Sequence, residues 1–362
     1  MFDPNSKSQL TDGTTWSCAG LIGACQCYAL SPDNSKVVLA INRSISILST
    51  KTGEVEFRAL DAHADNVMDI RFLPDGGIVS CSSCHGVQGN LKIWTSSLKE
   101  VQTLEGHTEG VGRLAIFPTV CSEVGTNPGP NPEFVRKRKP VSSHICSCGK
   151  HSMIWKKSGS DTEGGGTWGP VKLFENHELG VDCVCFSPDG KLLATGGANI
   201  TLYSFDDGEA KLIRTLLPTN RSSPLGRNSW VITLSFSPDS SRLCSGSSDR
   251  SISIWNCGDG KVVQRIKEVH DHAVDSVEWA SNGRVILSSS YDKKMKIWDA
   301  ETLELKHTFK QNDVISQATL TSDSNFIVSA HNNETVNITS TKEFTKTALS
   351  DILNLVLHIV YK

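Results

Sequence analysis

His144, Cys146, Cys148 and His151 place four nitrogen and sulfur donors close together in the chain. Zinc takes such donors as a tetrahedron. On a strand, His144, Cys146 and Cys148 would share one face, with His151 returning from the turn. Cys81 and Cys84 would supply two further thiols for a metal or redox site. Cys81-Ser-Ser-Cys84-His85 also matches the string that carries covalent haem. His270, Ser288 or Ser290, and Asp292 are the residue types of a hydrolytic triad. Arg136-Lys-Arg-Lys139 could be read by an import receptor or could contact a polyanion. Gly164-Gly165-Gly166 lacks the Gly-Lys-Ser/Thr tail of a phosphate loop, so nucleotide binding is set aside.

Whether any of this chemistry is real depends on the elements that carry it, and those repeat. Val231-Ile-Thr-Leu-Ser-Phe-Ser-Pro-Asp239, Val181-Asp-Cys-Val-Cys-Phe-Ser-Pro-Asp189 and Val67-Met-Asp-Ile-Arg-Phe-Leu-Pro-Asp75 follow one pattern. Apolar residues alternate, and the segment runs into Pro-Asp, where proline fixes φ and aspartate bonds the following amides. Each is a half-buried strand entering a turn. Cys25 to Asp33, Val111 to Pro118, Val274 to Trp279 and Ile315 to Asp323 are weaker copies. A second strand follows each turn. A third ends on an aromatic in Leu91-Lys-Ile-Trp94, Ser152-Met-Ile-Trp155, Ser251-Ile-Ser-Ile-Trp255 and Lys294-Met-Lys-Ile-Trp298. A fourth leads to a histidine before the next unit: His63, His107, His177 and His270, spaced 44, 70 and 93 residues apart.

Four short strands per unit, with Gly106-His107 and Trp298-Asp299 as they stand here, resemble the WD40 repeat. The resemblance covers about Cys25 to Leu349. It implies an all-β fold, a seven-bladed β-propeller of four-stranded antiparallel blades. One propeller over residues 1–350 is expected, with an insertion at 119–141 and a Gly-rich loop at 158–170 in the third blade. Residues 351–362 form a tail. The ring needs a chain end to complete its last blade, and Ser8 to Ser17 competes with Phe344 to Leu349 for that place.

The resemblance also reassigns the triad. In WD40 blades a His, a Ser or Thr, an Asp and the Trp share buried hydrogen bonds. Here the full set falls on His270, Ser288 or Ser290 (Ser290 preferred), Asp292 and Trp298, as a structural staple. The second and third units lack the Asp, with Gln88 and Gly149 in its place. The fifth has Arg227 for the His, and the fourth has Tyr203 for the Trp. The paired cysteines read as small packed side chains of strands, and no cofactor or metal is expected.

WD40 peptide readers bind through the residue after the first apolar position of each inner strand and through the residue before the staple Asp. Carried over, the first ring is Gln26, Met68, Gly112, Asp182, Ile232, Asp275 and Ser316. The second includes Tyr291, Ser248 and Asn42. Asp182, Asp275 and Tyr291 would make an acidic and aromatic mouth. The expected role is a non-catalytic scaffold or adaptor holding protein or peptide partners in a multiprotein complex. A nuclear reader of basic peptides is the alternative, and a metal or redox protein using the cysteines is a second. The Trp-Asp-x-Arg string of cullin-ligase receptors is absent.

Composition agrees with this class. Lys+Arg 36 against Asp+Glu 39 leaves a net charge of −3, giving no global reason to bind nucleic acid or an anionic membrane. With 38% apolar residues, a large core must be spread over many short elements. The first residues carry no apolar export signal, so the twelve cysteines are expected to be reduced thiols in the cytoplasm, with the nucleus left open by Arg136–Lys139. The run Ile352 to Tyr361 is too short to span a bilayer.

Overall fold

The computed structural model describes residues 15–17, 25–82, 90–118, 144–159, 166–174, 180–217, 229–321, 324–331 and 335–341. They form seven four-stranded antiparallel sheets. Among them there is no helix, and so none long and apolar enough to cross a membrane.

The turns explain why the strands end where they do. In Ser-Pro-Asp segments the serine hydroxyl bonds the aspartate two residues on: Ser31–Asp33 at 2.6 Å, Ser187–Asp189 at 2.6 Å and Ser237–Asp239 at 2.5 Å. Each aspartate then accepts the amide two residues further, from Ser35, Lys191 and Ser241. Such a locally satisfied turn reverses the chain into the second strand.

No single sheet has a private core. Seven buried clusters lie between neighbouring blades, and the seventh blade packs its Val328, Ala330, Val336 and Ile338 against Tyr28, Leu39 and Leu48 of the first. Trp94, Trp155, Tyr203, Trp255 and Trp298 each fill the seam with the preceding blade. Every blade thus buries its two faces only because the ring supplies two neighbours.

The ring closes through the beginning of the chain. Thr15–Ser17 pairs with Thr335–Ser340 as the outer strand of the last blade. The competing segment, residues 344–349, lies outside the described residues. The Gly-rich loop of the third blade is narrower than expected. Ser152–Ser158 and Thr167–Phe174 are both strands, and Pro170 stands opposite Trp155. A proline is tolerated there because the outer strand is an edge whose outward amides need no partner strand.

The innermost strands also have an unpaired edge, which faces the channel. Side chains of the neighbouring blade satisfy part of it. Asp69 accepts from Leu114 N at 2.9 Å, Thr233 from Val277 N at 3.1 Å, Ser235 from Trp279 N at 2.9 Å, Glu278 from Leu320 N at 2.8 Å and Gln317 from Tyr28 N at 3.3 Å. These bonds link blade to blade around the axis and leave fewer free amides for another chain to pair with.

Candidate docking mouth and the polar staples

His270, Asp292 and Trp298 come together as the resemblance implied, but the serine among them is Ser288. Asp292 meets His270 Nδ1 at 3.0 Å, His270 Nε2 meets Ser288 Oγ at 2.8 Å, and Trp298 Nε1 donates to Ser288 Oγ at 2.9 Å. Ser290 lies on the same strand face two residues on, at the turn, where its hydroxyl accepts the Asp292 amide at 3.3 Å. The indole reaches back one pleat, so the serine opposite Lys296 is the one it finds. Burial lowers the His270 pKa, against the pull of Asp292, so the ring is neutral near pH 7. The proton order is then fixed: indole to Ser288, Ser288 to Nε2, Nδ1–H to Asp292. Ser288 is 0% exposed and no substrate can reach it. The arrangement supplies hydrogen-bond satisfaction, with no accessible nucleophile.

Related blades use substitutes that the sequence did not announce. In the second blade Asn90 takes the aspartate's place, 3.1 Å from His63 Nδ1, while Ser80 joins His63 and Trp94. Gln88, the residue expected there, lies outside the described residues. In the third, Ser147 joins His107 and Trp155. In the fifth, Asp249 pairs with Arg265 at 2.6 Å and accepts from Ser229 at 3.0 Å, and Trp255 donates to Ser245. Arg227 is outside the described residues.

The thiols sit in the seams between blades. Cys146 and Cys148 belong to the apolar cluster shared by the third and fourth blades, and Cys81 to that of the second and third. Burial pushes all three well above the ordinary thiol pKa, which opposes the thiolate a metal or redox site needs. His144 packs against the rings of Phe117 and Phe205. Among the described residues no three His, Cys, Asp or Glu side chains converge on a metal position. Cys84 and His85 lie outside those residues.

The predicted first ring has a common backbone cause. Each inner strand carries a register shift, at Cys25/Cys27, Val67/Asp69, Val111/Arg113, Val181/Cys183, Val231/Thr233, Val274/Ser276 and Ile315/Gln317. The unpaired extra residues are Gln26, Met68, Gly112, Asp182, Ile232, Asp275 and Ser316. A bulge takes a residue out of the ladder and re-aims its side chain. All seven stand at the same end of the channel.

Two acidic residues of this ring lie beside aromatic residues. Asp275 Oδ2 accepts the Tyr291 amide at 2.9 Å, and the Tyr291 side chain is 50% exposed. Burial raises the Asp275 pKa to about 6, with Tyr291 N–H, His272 and Arg113 pulling it down. Asp182 is raised by burial and sits beside the Trp230 indole. The Trp230 Nε1 is itself buried and outside hydrogen-bond geometry with any described partner. Ser248 of the second ring does not face outward freely: its hydroxyl accepts the Trp230 amide at 2.9 Å and so fixes the Trp230 backbone. Asn42 sits at φ 51° and its carbonyl accepts the Val67 amide at 2.8 Å.

The mouth is not purely acidic. Arg113 lines the upper channel with Asp275, Ile232 and Ser316 around a space of about 90 Å³. It donates to the Met68 carbonyl at 3.2 Å and lies within electrostatic range of both Asp182 and Asp275. Arg113, Trp230, Asp69, Arg71, Glu278 and Gln317 were missed in the sequence. For all of these but Trp230, the available signal was a charged or amide side chain at alternate positions of strands whose other face is apolar.

A sequence model of the "WD domain, G-beta repeat" matches residues 55–95, the second blade with its approach. The chain is a WD40-repeat β-propeller. Residues 165–339 of this propeller also match the "Nucleolar protein 10-like, N-terminal domain". Among curated relatives, it is 36% identical over 129 residues to the chromatin assembly factor 1 subunit FAS2 homolog of Oryza sativa subsp. japonica, covering 34% of the propeller chain and 24% of that protein. It is 35% identical over 134 residues to the COMPASS component SWD3 of Saccharomyces cerevisiae, covering 36% and 38%. It is 24% identical over 317 residues to the nuclear distribution protein PAC1-1 of Uncinocarpus reesii, covering 74% and 67%. The matched part is thus well under half of the first two relatives' lengths. None of these names denotes an enzyme, and two denote parts of larger assemblies.

Proposed function

We propose that this propeller is a non-catalytic scaffold that seats a protein or peptide partner on the mouth ringed by Gln26, Met68, Gly112, Asp182, Ile232, Asp275 and Ser316, with Tyr291 and Trp230 beside it. The observation that carries the reading is the sevenfold bulge. The bulges put seven residues of unlike chemistry at one level of seven equivalent strands, which suits a partner-specific surface. The relatives' names support protein partners, since one is a subunit and another a component. The nuclear rather than cytoplasmic setting is supported by the nucleolar and chromatin-assembly names and by the Arg136–Lys139 run, which lies outside the described residues.

The narrower reading is that the partner offers an arginine or lysine. Asp182 beside Trp230 and Asp275 beside Tyr291 each combine a carboxylate with a ring, which suits a cation by charge pairing and cation–π attraction. Arg113 limits this to one or two cations and disfavours a long basic run. The test is co-purification from cells with wild type and with Asp182→Lys plus Asp275→Lys. At least a tenfold loss of captured partners is expected, with the melting midpoint held. Undiminished capture would remove the mouth from the function.

A further inference from the structure

The inner strands run from the bulges to the opposite face, and there the channel widens into a cavity of about 580 Å³. Its wall carries the apolar side chains of Leu30, Phe72, Ile116, Phe186 and Leu320, with polar Ser31 and Thr319 among them. Deeper in, two charged side chains line it from opposite sides of the ring, Arg71 of the second blade and Glu278 of the sixth. Arg71 is already neutralised: its guanidinium meets both carboxylate oxygens of Asp69 at 3.2 Å. Glu278 is not. Among the described residues it accepts one hydrogen bond, from Leu320 N through Oε2, and no cation stands within ion-pair distance. Arg71 is only within electrostatic range. Burial accordingly pushes the Glu278 carboxyl up to about 7. Near neutral pH this lone carboxyl is divided between its protonated and ionised forms, and a cationic group placed against it would hold it ionised and be bound in return.

We propose that this lower cavity takes a cationic amine on an aliphatic stem, the ammonium on the remaining oxygen of Glu278 and the stem along the apolar wall. The size falls in the range of small-ligand sites, and the lining mixes apolar side chains with hydroxyl and amide groups, Glu278 being its one carboxylate. The cavity continues the same channel and shares Arg71, Thr233 and Gln317 with the upper space, but Glu278 lines only the lower part and Asp275 only the upper, so the proposal does not depend on the function argued above.

The probes are n-butylammonium chloride, 1-butanol as its uncharged counterpart, and Nα-acetyl-lysine methylamide, titrated against the full chain by NMR. Both amines are expected to bind at least tenfold more tightly than butanol. Glu278→Gln keeps an oxygen for the Leu320 amide, and is expected to lose amine binding tenfold or more. Asp182→Lys plus Asp275→Lys is expected to retain it, which separates this cavity from the mouth. Amines that bind no better than butanol would overturn the proposal, as would amine binding that survives Glu278→Gln or is lost with the mouth variant. Should Glu278→Gln fail to fold, the amine-to-butanol ratio in the wild type still decides. Within a positive result, capped lysine binding tenfold more tightly than butylammonium identifies a partner's lysine, and equal affinities identify a free amine.

Discussion

Asp292→Ala is expected to destabilise the propeller by about 3 kcal/mol, whereas Ser290→Ala should cost under about 1 kcal/mol. Asp292 accepts from His270 Nδ1, Asp271 N and Lys294 N, each at 3.0 Å, and its side chain is 2% exposed. Hydrogen bonds to a charged acceptor contribute roughly 1.5–3 kcal/mol each. Water can re-satisfy the two turn amides after truncation. It cannot readily reach Nδ1, because the imidazole side chain is 0% exposed. The loss therefore centres on a buried donor without an acceptor. Urea denaturation compares the two variants. Equal midpoints would contradict the proton order drawn through Ser288, as would a larger effect at Ser290.

The second large effect comes from a hydrogen atom. Gly149 ends the second strand of the third blade, opposite Val111. A Cβ there would lie 2.2 Å from the Gly110 carbonyl oxygen and 3.3 Å from its carbon. Both are backbone atoms and cannot rotate away. Gly149→Ala is expected to cost about 3 kcal/mol or more, at or beyond the upper end of ordinary overpacking. Gly112, on the bulge itself, meets nothing nearer than 3.9 Å, so Gly112→Ala should stay within about 0.5 kcal/mol. Thermal midpoints of the pair check this, and a tolerated Gly149→Ala would mean that the two strands part more easily than drawn. Gly197 repeats the geometry in the fourth blade, 2.6 Å from Gly180 O.

The blades were legible because two periodic signals coincide. Alternating apolar positions mark the half-buried innermost strands, and Ser-Pro-Asp marks the reversal into the next strand. The level of the bulged ring was legible only through the family resemblance, since a bulge leaves no composition of its own: Gln, Met, Gly, Asp, Ile, Asp and Ser occupy the seven positions. Ser288 and Ser290 share a strand face, so alternation cannot choose between them. The indole's reach decides. Asn90 and the Arg265–Asp249 pair were not legible because acceptance of a buried N–H is a matter of position, and an amide or a differently paired carboxylate serves as well. Closure by Thr15–Ser17 could not be separated from closure by residues 344–349, because both offer a short strand at the right distance. The channel charges escaped for another reason. Asp69, Arg71, Arg113 and Glu278 stand on the strands nearest the axis, where a solid core would exclude them and an open channel does not.

Hydrogen exchange on the propeller, free and bound to a partner it captures from cells, tests the central reading most directly. Protection on binding is expected to concentrate at the bulged starts of the inner strands, around residues 26, 68, 112, 182, 232, 275 and 316, and at the turn carrying Tyr291. Protection confined to the outer strands, such as Glu209–Leu216 and Val262–Ile266, with the bulges unchanged, would contradict it.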